Sequence, residues 1–404
     1  MNRKISIVGA GPAGLTLARL LQMRGNEVSV FERAASSSVR PDGGSLDIDT
    51  RSGGMALRAA GLRDAVARVS RPEASGYTIA DDQGHTVLRI PALLSRRPEI
   101  DRYDLQAILL TSLAPGTVRY DHRLVGIERS KTDVPVLRFD GEPDVVADIV
   151  VGADGVRSRV RPYVTSVATE YSGVALLHGE IADPETICPQ ILNWMSGGNF
   201  FALGDRKGVL AQRRGDGVLV FYLTQKLSEM QAYEMEKLSA DAFRHHADIA
   251  LKNWHPAFRD LFRAADRLVP HALRVTPVEQ TWESCPDITL IGDAAHALTP
   301  FGGEGANMAM IDALRLADAI SSSSTHDCRA AFSAYESEML GRTKNVQRAT
   351  LGLLETFHTV NAAENVVGEL FGGLAPLAPV ISKVAPAADY VSRRMFSRDR
   401  ARSR

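Results

Sequence analysis

Lys4-Ile-Ser-Ile-Val8-Gly9-Ala-Gly11-Pro-Ala13-Gly14-Leu-Thr-Leu-Ala-Arg-Leu-Leu-Gln-Met-Arg-Gly25-Asn-Glu-Val28-Ser-Val-Phe31-Glu32-Arg33 decides the fold. Lys4 to Val8 is a β-branched run of strand length, and Gly9 to Gly14 is a turn. Leu15 to Arg24 has helical spacing, with Leu17, Leu20 and Leu21 on one face and Gly25 as its stop. Val28 to Phe31 is a second strand. A strand, a helix and a strand in this order predict a parallel sheet. The turn carries G-x-G-x-x-G in the context that gives the pattern meaning. Gly9 allows the tight turn, Gly11 lets backbone approach a pyrophosphate, and Gly14 lets helix pack close to strand. The helix N-terminus then presents unpaired N–H groups and a positive dipole end to phosphate. Glu32 ends the second strand, 18 residues beyond Gly14, where a carboxylate accepts both ribose hydroxyls. Arg33 follows it at the same end. A merely structural glycine turn is the alternative.

Two later stretches repeat the design of an apolar run closed by Gly and Asp. They are Asp148-Ile-Val-Val-Gly-Ala-Asp154-Gly155 and Asp287-Ile-Thr-Leu-Ile-Gly-Asp293. Strand ends of this kind bind ligands in open α/β sheets. The second continues as Ala-Ala-His296-Ala-Leu-Thr-Pro300-Phe301-Gly302-Gly303-Glu-Gly305-Ala306-Asn307 into an amphipathic helix. Asp293 suits a polyol hydroxyl. The glycine stretch sets backbone N–H groups and a helix N-terminus against a flat electron-accepting ring that turns anionic on reduction. His296 reads as a residue that orders this loop. Residues 170–280 differ: 208–212 and 217–223, split by Arg-Gly-Asp-Gly, read as antiparallel strands of an inserted sheet. Residues 326–360 carry a long helical pattern, and the tail from Ser392, with six arginines and one aspartate, reads as a solvated end.

The three glycine-rich stretches, in this order and spacing, resemble those of the class A flavoprotein monooxygenases, the para-hydroxybenzoate hydroxylase group. Gly152-Ala-Asp154-Gly155-Val-Arg157-Ser158 is similar to that family's DG motif, and 292–307 to its GD motif. Within the group, Arg40-Pro-Asp-Gly-Gly-Ser-Leu-Asp47 and Ile100-Asp-Arg102-Tyr-Asp-Leu resemble the tetracycline-inactivating branch. The resemblance implies an α/β fold: a Rossmann-like FAD-binding domain with a parallel sheet, an inserted antiparallel-sheet substrate domain and a long C-terminal helix. It divides the chain into FAD-binding parts 1–72, 99–168 and 276–325, substrate-domain parts 73–98 and 169–275, and a helical region 326–404. It implies FAD held by Gly9, Gly11, Ala13, Gly14, Glu32, Arg33, Asp47, Arg102, Asp154, Asp293, Gly303, Gly305, Ala306 and Asn307. Arg40 falls at the flavin edge that NADPH or NADH approaches, and His178, Pro300, Phe301 and Gly302 fall at the substrate. The branch's substrate-facing arginine and histidine are replaced by apolar residues near Phe200 and Val220, which points away from tetracycline itself.

The implied reaction is NAD(P)H-consuming hydroxylation of an aromatic or polyketide-like molecule by O2, through a flavin C4a-hydroperoxide. The flavin carries the chemistry, so no catalytic side chain is expected. A dehydrogenase or oxidase that never inserts oxygen, and a flavin-binding sensor without turnover, are the alternatives. Composition agrees with an enzyme of this kind. Over 404 residues, 45% are apolar and 24% charged, which supports a sizeable core. A net charge of −1 gives no reason to expect nucleic acid. Cys188, Cys285 and Cys328 stand far apart, without the spacing of a disulfide scaffold or a zinc site. No apolar run reaches the roughly 18 residues of a membrane span, and the basic N-terminus leads into a buried strand rather than a signal peptide. The expectation is a cytoplasmic protein, monomeric or weakly self-associating, with no metal and no stable membrane association.

Overall fold

The computed structural model describes residues 3–38, 43–95, 97–322 and 328–371. Its parallel sheet has the strand order Ile288–Leu290, Ile149–Gly152, Lys4–Val8, Glu27–Phe31, Val118–Arg119. The inner strands are almost wholly buried, as expected where helices cover both faces of a parallel sheet. Register aligns their carboxyl ends, with Val8 opposite Phe31 on one side and Gly152 on the other, and Gly152 opposite Leu290. The chain leaves the opening strand toward Glu27–Phe31 and Val118–Arg119 but adds Ile149–Gly152 and Ile288–Leu290 on the other side. That reversal opens a crevice beyond the strand ends. The helices Pro12–Met23 and Gly305–Ser322 bury their apolar faces in the same core as the sheet.

The second sheet runs Arg267–Val275, Glu170–Ile181, Leu219–Lys226, Lys207–Arg213, Asn199–Gly204, Tyr77–Ala80, Thr86–Ile90. All neighbours are antiparallel except Asn199–Gly204 with Tyr77–Ala80. Side chains alternate between its faces. Ala175, Leu177, Phe200, Ala211 and Phe221 form an outer core with Phe243, Phe258 and Phe262 of the covering helices. The opposite face looks toward the half that holds the parallel sheet. One of its cross-strand rows is Val269, His178, Tyr222, Leu210, Phe201, Ile79. Of the apolar residues near Phe200 that the sequence sets where the branch has a polar one, Phe200 lies on the outer face and Phe201 on the inner one.

The helix Arg329–Phe357, 29 residues long and so about 43 Å, joins the halves. Phe332, Tyr335 and Met339 pack into the core of the parallel sheet. At its far end Leu354 and Phe357 meet Ile79, Leu203 and Phe301 under the inner face of the second sheet. No helix among the described residues is long and apolar enough to cross a membrane. The tail from Ser392 lies outside the described residues.

Candidate active site

Beyond the aligned strand ends lie, in a row, Asp293, Asp154, Gly9 and Glu32. Gly9 has φ +106°, and a Cβ there would stand 2.3 Å from the Ala153 carbonyl oxygen, so the first two turns touch backbone to backbone. A Cβ at Gly14 would stand 2.1 Å from the Gly9 oxygen. Gly11 is different: a Cβ there would meet no protein atom within 4 Å. It is the N-cap of the helix Pro12–Met23 and no side chain caps that end. Uncapped N–H groups beside open space form an anion site. Glu32 spans the gap to the next strand, accepting from the Ala10 N–H at 2.8 Å and the Ala34 N–H at 2.9 Å. Arg33 is exposed, and Ala13 is buried beside Gly292.

Asp154 closes its own turn, its Oδ2 accepting from the Arg159 N–H at 2.6 Å. Desolvation raises its pKa. Asp293 also has its pKa raised, chiefly by the protein mass around it, yet its side chain reaches solvent and bonds no described residue. Behind it sits a buried charge cluster. Asp312 Oδ2 accepts from the Gly292 N–H at 2.9 Å and lies 2.5 Å from His296 Nε2, while Asp312 Oδ1 lies 3.0 Å from Arg342 Nη2. Burial would lower the pKa of His296, but Asp312 outweighs it and the net direction is upward. Burial would raise that of Asp312, and the two cations bring it down instead. His296 thus orders the turn, and its partners Asp312 and Arg342 were not singled out in the sequence, because they are far from it along the chain.

The wall of the cleft is the turn 300–307. Pro300 and Gly302 are exposed, whereas the Phe301 ring is buried 5.0 Å from the Phe357 ring. Gly303 has φ +69°, and its Cβ would fall 2.4 Å from Asp47 Oδ1. Gly305 and Ala306 open the next helix, half-buried. Asn307 is fully buried: it accepts from the Asp49 N–H at 2.9 Å and donates to the Asp47 carbonyl at 2.8 Å, clamping the strand Leu46–Asp47 to the helix start. Arg97, not anticipated, ties Asp47 (2.6 Å) to Glu304 (2.8 Å). Burial, partly offset by Arg97, pushes the Asp47 pKa up to about 6. Opposite Asp47, Glu99 is 4% exposed and burial pushes its pKa to about 7. Arg102, at the start of the helix Arg102–Thr111, keeps a buried Nε with no hydrogen-bond partner among the described residues. Arg40 lies outside the described residues. His178 is buried on the inner sheet face, its ring 5.1 Å from that of Tyr222. No cluster of metal-ligating side chains occurs among the described residues.

An open Gly11 backbone at an uncapped helix end, an unsatisfied guanidinium nitrogen at Arg102 and an unpartnered carboxylate at Asp293 fit a dinucleotide's phosphates and polyol. The fold and cleft are those of a dinucleotide-binding flavoprotein. The chain matches the model of the FAD binding domain family over residues 2–181 and 279–350 and belongs to that family, as an FAD-dependent monooxygenase. It is 30% identical over 375 residues to the 3-amino-4-hydroxybenzoate 2-monooxygenase of Streptomyces cremeus, covering 89% of each chain. It shares its fold with Klebsiella pneumoniae HpxO complexed with FAD and uric acid (TM-score 0.75, 20% identity, 96% of each chain). It does so equally with the tetracycline destructase Tet(51) (TM-score 0.70, 18% identity, 97% of this chain and 98% of that one).

Proposed function

We propose that this monooxygenase draws electrons from NADPH or NADH and uses O2 to hydroxylate an aromatic or polyketide-like small molecule, tetracycline-type antibiotics being one class to test. The observation that carries the reading is the apolar junction between the 300–307 turn and the inner face of the second sheet. Half-buried Phe201, Leu210 and Leu353 lie there, packed against the cluster that holds Phe301.

FAD, when bound, supplies the electron transfer and the oxygen activation. The residues of this chain bind, orient and shield. Gly11 with the N–H groups of Ala13 and Gly14 takes the pyrophosphate, assisted by Arg102. Glu32, with Arg33 beside it, takes the adenosine end, and Asp293 takes a ribityl hydroxyl. Asp154 braces the middle turn. Gly303, Gly305 and Ala306 set backbone N–H groups and the start of the helix Gly305–Ser322 toward the ring's polar edge, where the dipole favours negative charge. Asn307 and the Arg97 bridge hold Asp47, which would contact the ring side of the cofactor. Pro300, Gly302 and His178 face the substrate side, and Arg40 is assigned to the approaching reductant. The apolar wall keeps water from the reacting oxygen.

Labelled O2 tests this. Ligand-stimulated NAD(P)H oxidation should yield a product carrying one labelled oxygen atom. Label found only in peroxide would make the protein an oxidase, and binding without stimulated oxidation would make it a sensor.

A further inference from the structure

One place where the inner face of the second sheet meets the other half of the molecule is the Gly43–Gly44 backbone. The Gly44 N–H donates to the Tyr222 hydroxyl oxygen at 2.8 Å. A Cβ at Gly44 would lie 2.1 Å from Gln212 Oε1, so the Gln212 amide rests on the same glycine. Tyr222 pairs with Leu210 and Gln212 with Val220, which makes Tyr222 and Gln212 diagonal neighbours on one sheet face. Tyr222 accepts from Gly44 but donates its own proton to no described residue. The Gln212 side chain makes no hydrogen bond to any described residue and is half-buried. Two neutral polar groups with unspent bonding capacity therefore stand together beside Leu210 and Phe201.

Among the described residues, the charged groups around them mostly have partners of their own, and His178, stacked on Tyr222 at 5.1 Å, lies 3.4 Å from Glu180. Arg214 pairs with Glu180 and Asp216, Arg71 with Asp101, and Arg97 with Asp47 and Glu304. Arg102 is the exception among nearby described guanidinium groups, and the proposed cofactor site uses it. A substrate carboxylate seated here would lose water without gaining a dedicated cation, which is unfavourable in an apolar cleft. A phenol, quinone or ketone oxygen needs only a donor and an acceptor. Burial raises the Tyr222 pKa, so its hydroxyl remains a donor at neutral pH.

We infer that Tyr222 and Gln212 are the specificity-determining pair of this enzyme and that they select an oxygen atom of an uncharged aromatic substrate over a carboxylate. The inference rests on the aromatic-substrate reading above and narrows it. It separates this chain from a relative named for an aminohydroxybenzoate.

The test uses the flavin-loaded enzyme and a panel of phenols, aromatic ketones and polyketides, each paired with its carboxylated counterpart. Binding is read from the flavin absorbance change and turnover from NAD(P)H oxidation. The uncharged members should bind at least about tenfold more tightly than their acids, and Gln212→Ala should weaken them about tenfold, the worth of one neutral hydrogen bond. Gln212→Arg should reverse the preference between ester and acid. Tyr222→Phe should raise KM with a smaller change in kcat. Tighter binding of the acids by the wild-type protein, or unchanged affinity for the uncharged members in both Gln212→Ala and Tyr222→Phe, overturns the inference and leaves the aromatic-substrate reading standing. If no member of either series perturbs the flavin or stimulates oxidation, both fall.

Discussion

The two sheets obey different rules. In the parallel half, identity is dictated at points where the backbone leaves no choice: Gly9 and Gly14 abut other main chain, and Gly292 turns at φ +59°. In the second sheet, the inner face is governed differently. Its row of His178, Tyr222, Leu210 and Phe201 is set by strand register, and its constraints are side-chain contacts such as Tyr222 on the Gly44 N–H rather than backbone against backbone. One half is a scaffold with a cofactor's shape cut into it. The other is a surface on which chemistry is free to change.

The sharpest way to break this contrast is a pair of glycine substitutions. Gly9→Ala forces a methyl group onto the Ala153 carbonyl at 2.3 Å and a side chain into left-handed space, so it should abolish soluble, folded protein. Gly11→Ala adds a methyl that meets nothing within 4 Å. It should fold with nearly wild-type thermal stability yet lose flavin, because the space it fills is the ligand's. Circular dichroism and the flavin-to-protein absorbance ratio check both. Full flavin retention in Gly11→Ala would remove the phosphate site from that turn.

Next in size is Asp312→Asn. It removes a buried carboxylate shared by His296 and Arg342, leaving the buried His296 without its counter-charge and Arg342 with Glu338 alone, at a cost of about 3–5 kcal/mol. Thermal or denaturant unfolding of the flavin-free protein reads this. A loss below about 1 kcal/mol would show that the turn at Gly292 is held by its backbone alone.

Legibility followed the same division. The strands Lys4–Val8, Ile149–Gly152 and Ile288–Leu290 with their glycine turns stood out in the sequence, because each couples a short apolar run to a residue type the backbone demands. The antiparallel pair Lys207–Arg213 and Leu219–Lys226 was visible through its Arg-Gly-Asp-Gly turn, but not which face each residue presents. A one-residue slip exchanges Phe200 for Phe201 and turns an outer-core ring into a cleft wall. Tyr222, Gln212 and Arg97 escaped notice for a related reason. Their partners Gly44, Asp47 and Glu304 are remote in the chain, and no local spacing signals such a contact.

Glu99 sits where the halves join, its Oε1 accepting from Asn199 Nδ2 at 2.8 Å while Oε2 is buried with no hydrogen-bond partner among the described residues. Its pKa is raised in the fold from 4.5 to about 7, mainly by burial. The folded state therefore binds the proton more tightly than the unfolded chain, and stability falls as pH rises from about 4.5 to about 7. Glu99→Gln keeps the acceptor for Asn199 and removes the charge. It should leave stability unchanged near pH 4 and raise it above pH 7, by about 3 kcal/mol at most. Unfolding curves at the two pH values decide it, and equal stability of the two proteins at high pH would mean that Glu99 ionises there without penalty.

The smallest effect is expected across the same junction at Arg157, which follows Asp154-Gly155 and reaches Glu236 on the helix Glu229–Met235 side of the second sheet at 3.3 Å. Its side chain is 70% exposed, so the pair is worth less than about 0.5 kcal/mol, and Arg157→Ala should be close to neutral in stability. Glu236 keeps a second bond, from the Ala272 N–H at 3.1 Å, that holds the helix when the arginine is gone. Its neighbour Arg161 is a different case, buried and donating to the carbonyls of Val167, Ala294 and Ala295, where it joins the second and third turns. If Arg157 instead meets the reductant's phosphate, Arg157→Ala will raise KM for NADPH about tenfold or more and leave that for NADH alone, since only NADPH carries the extra charge. Unchanged KM for both would make this arginine a strut between the halves.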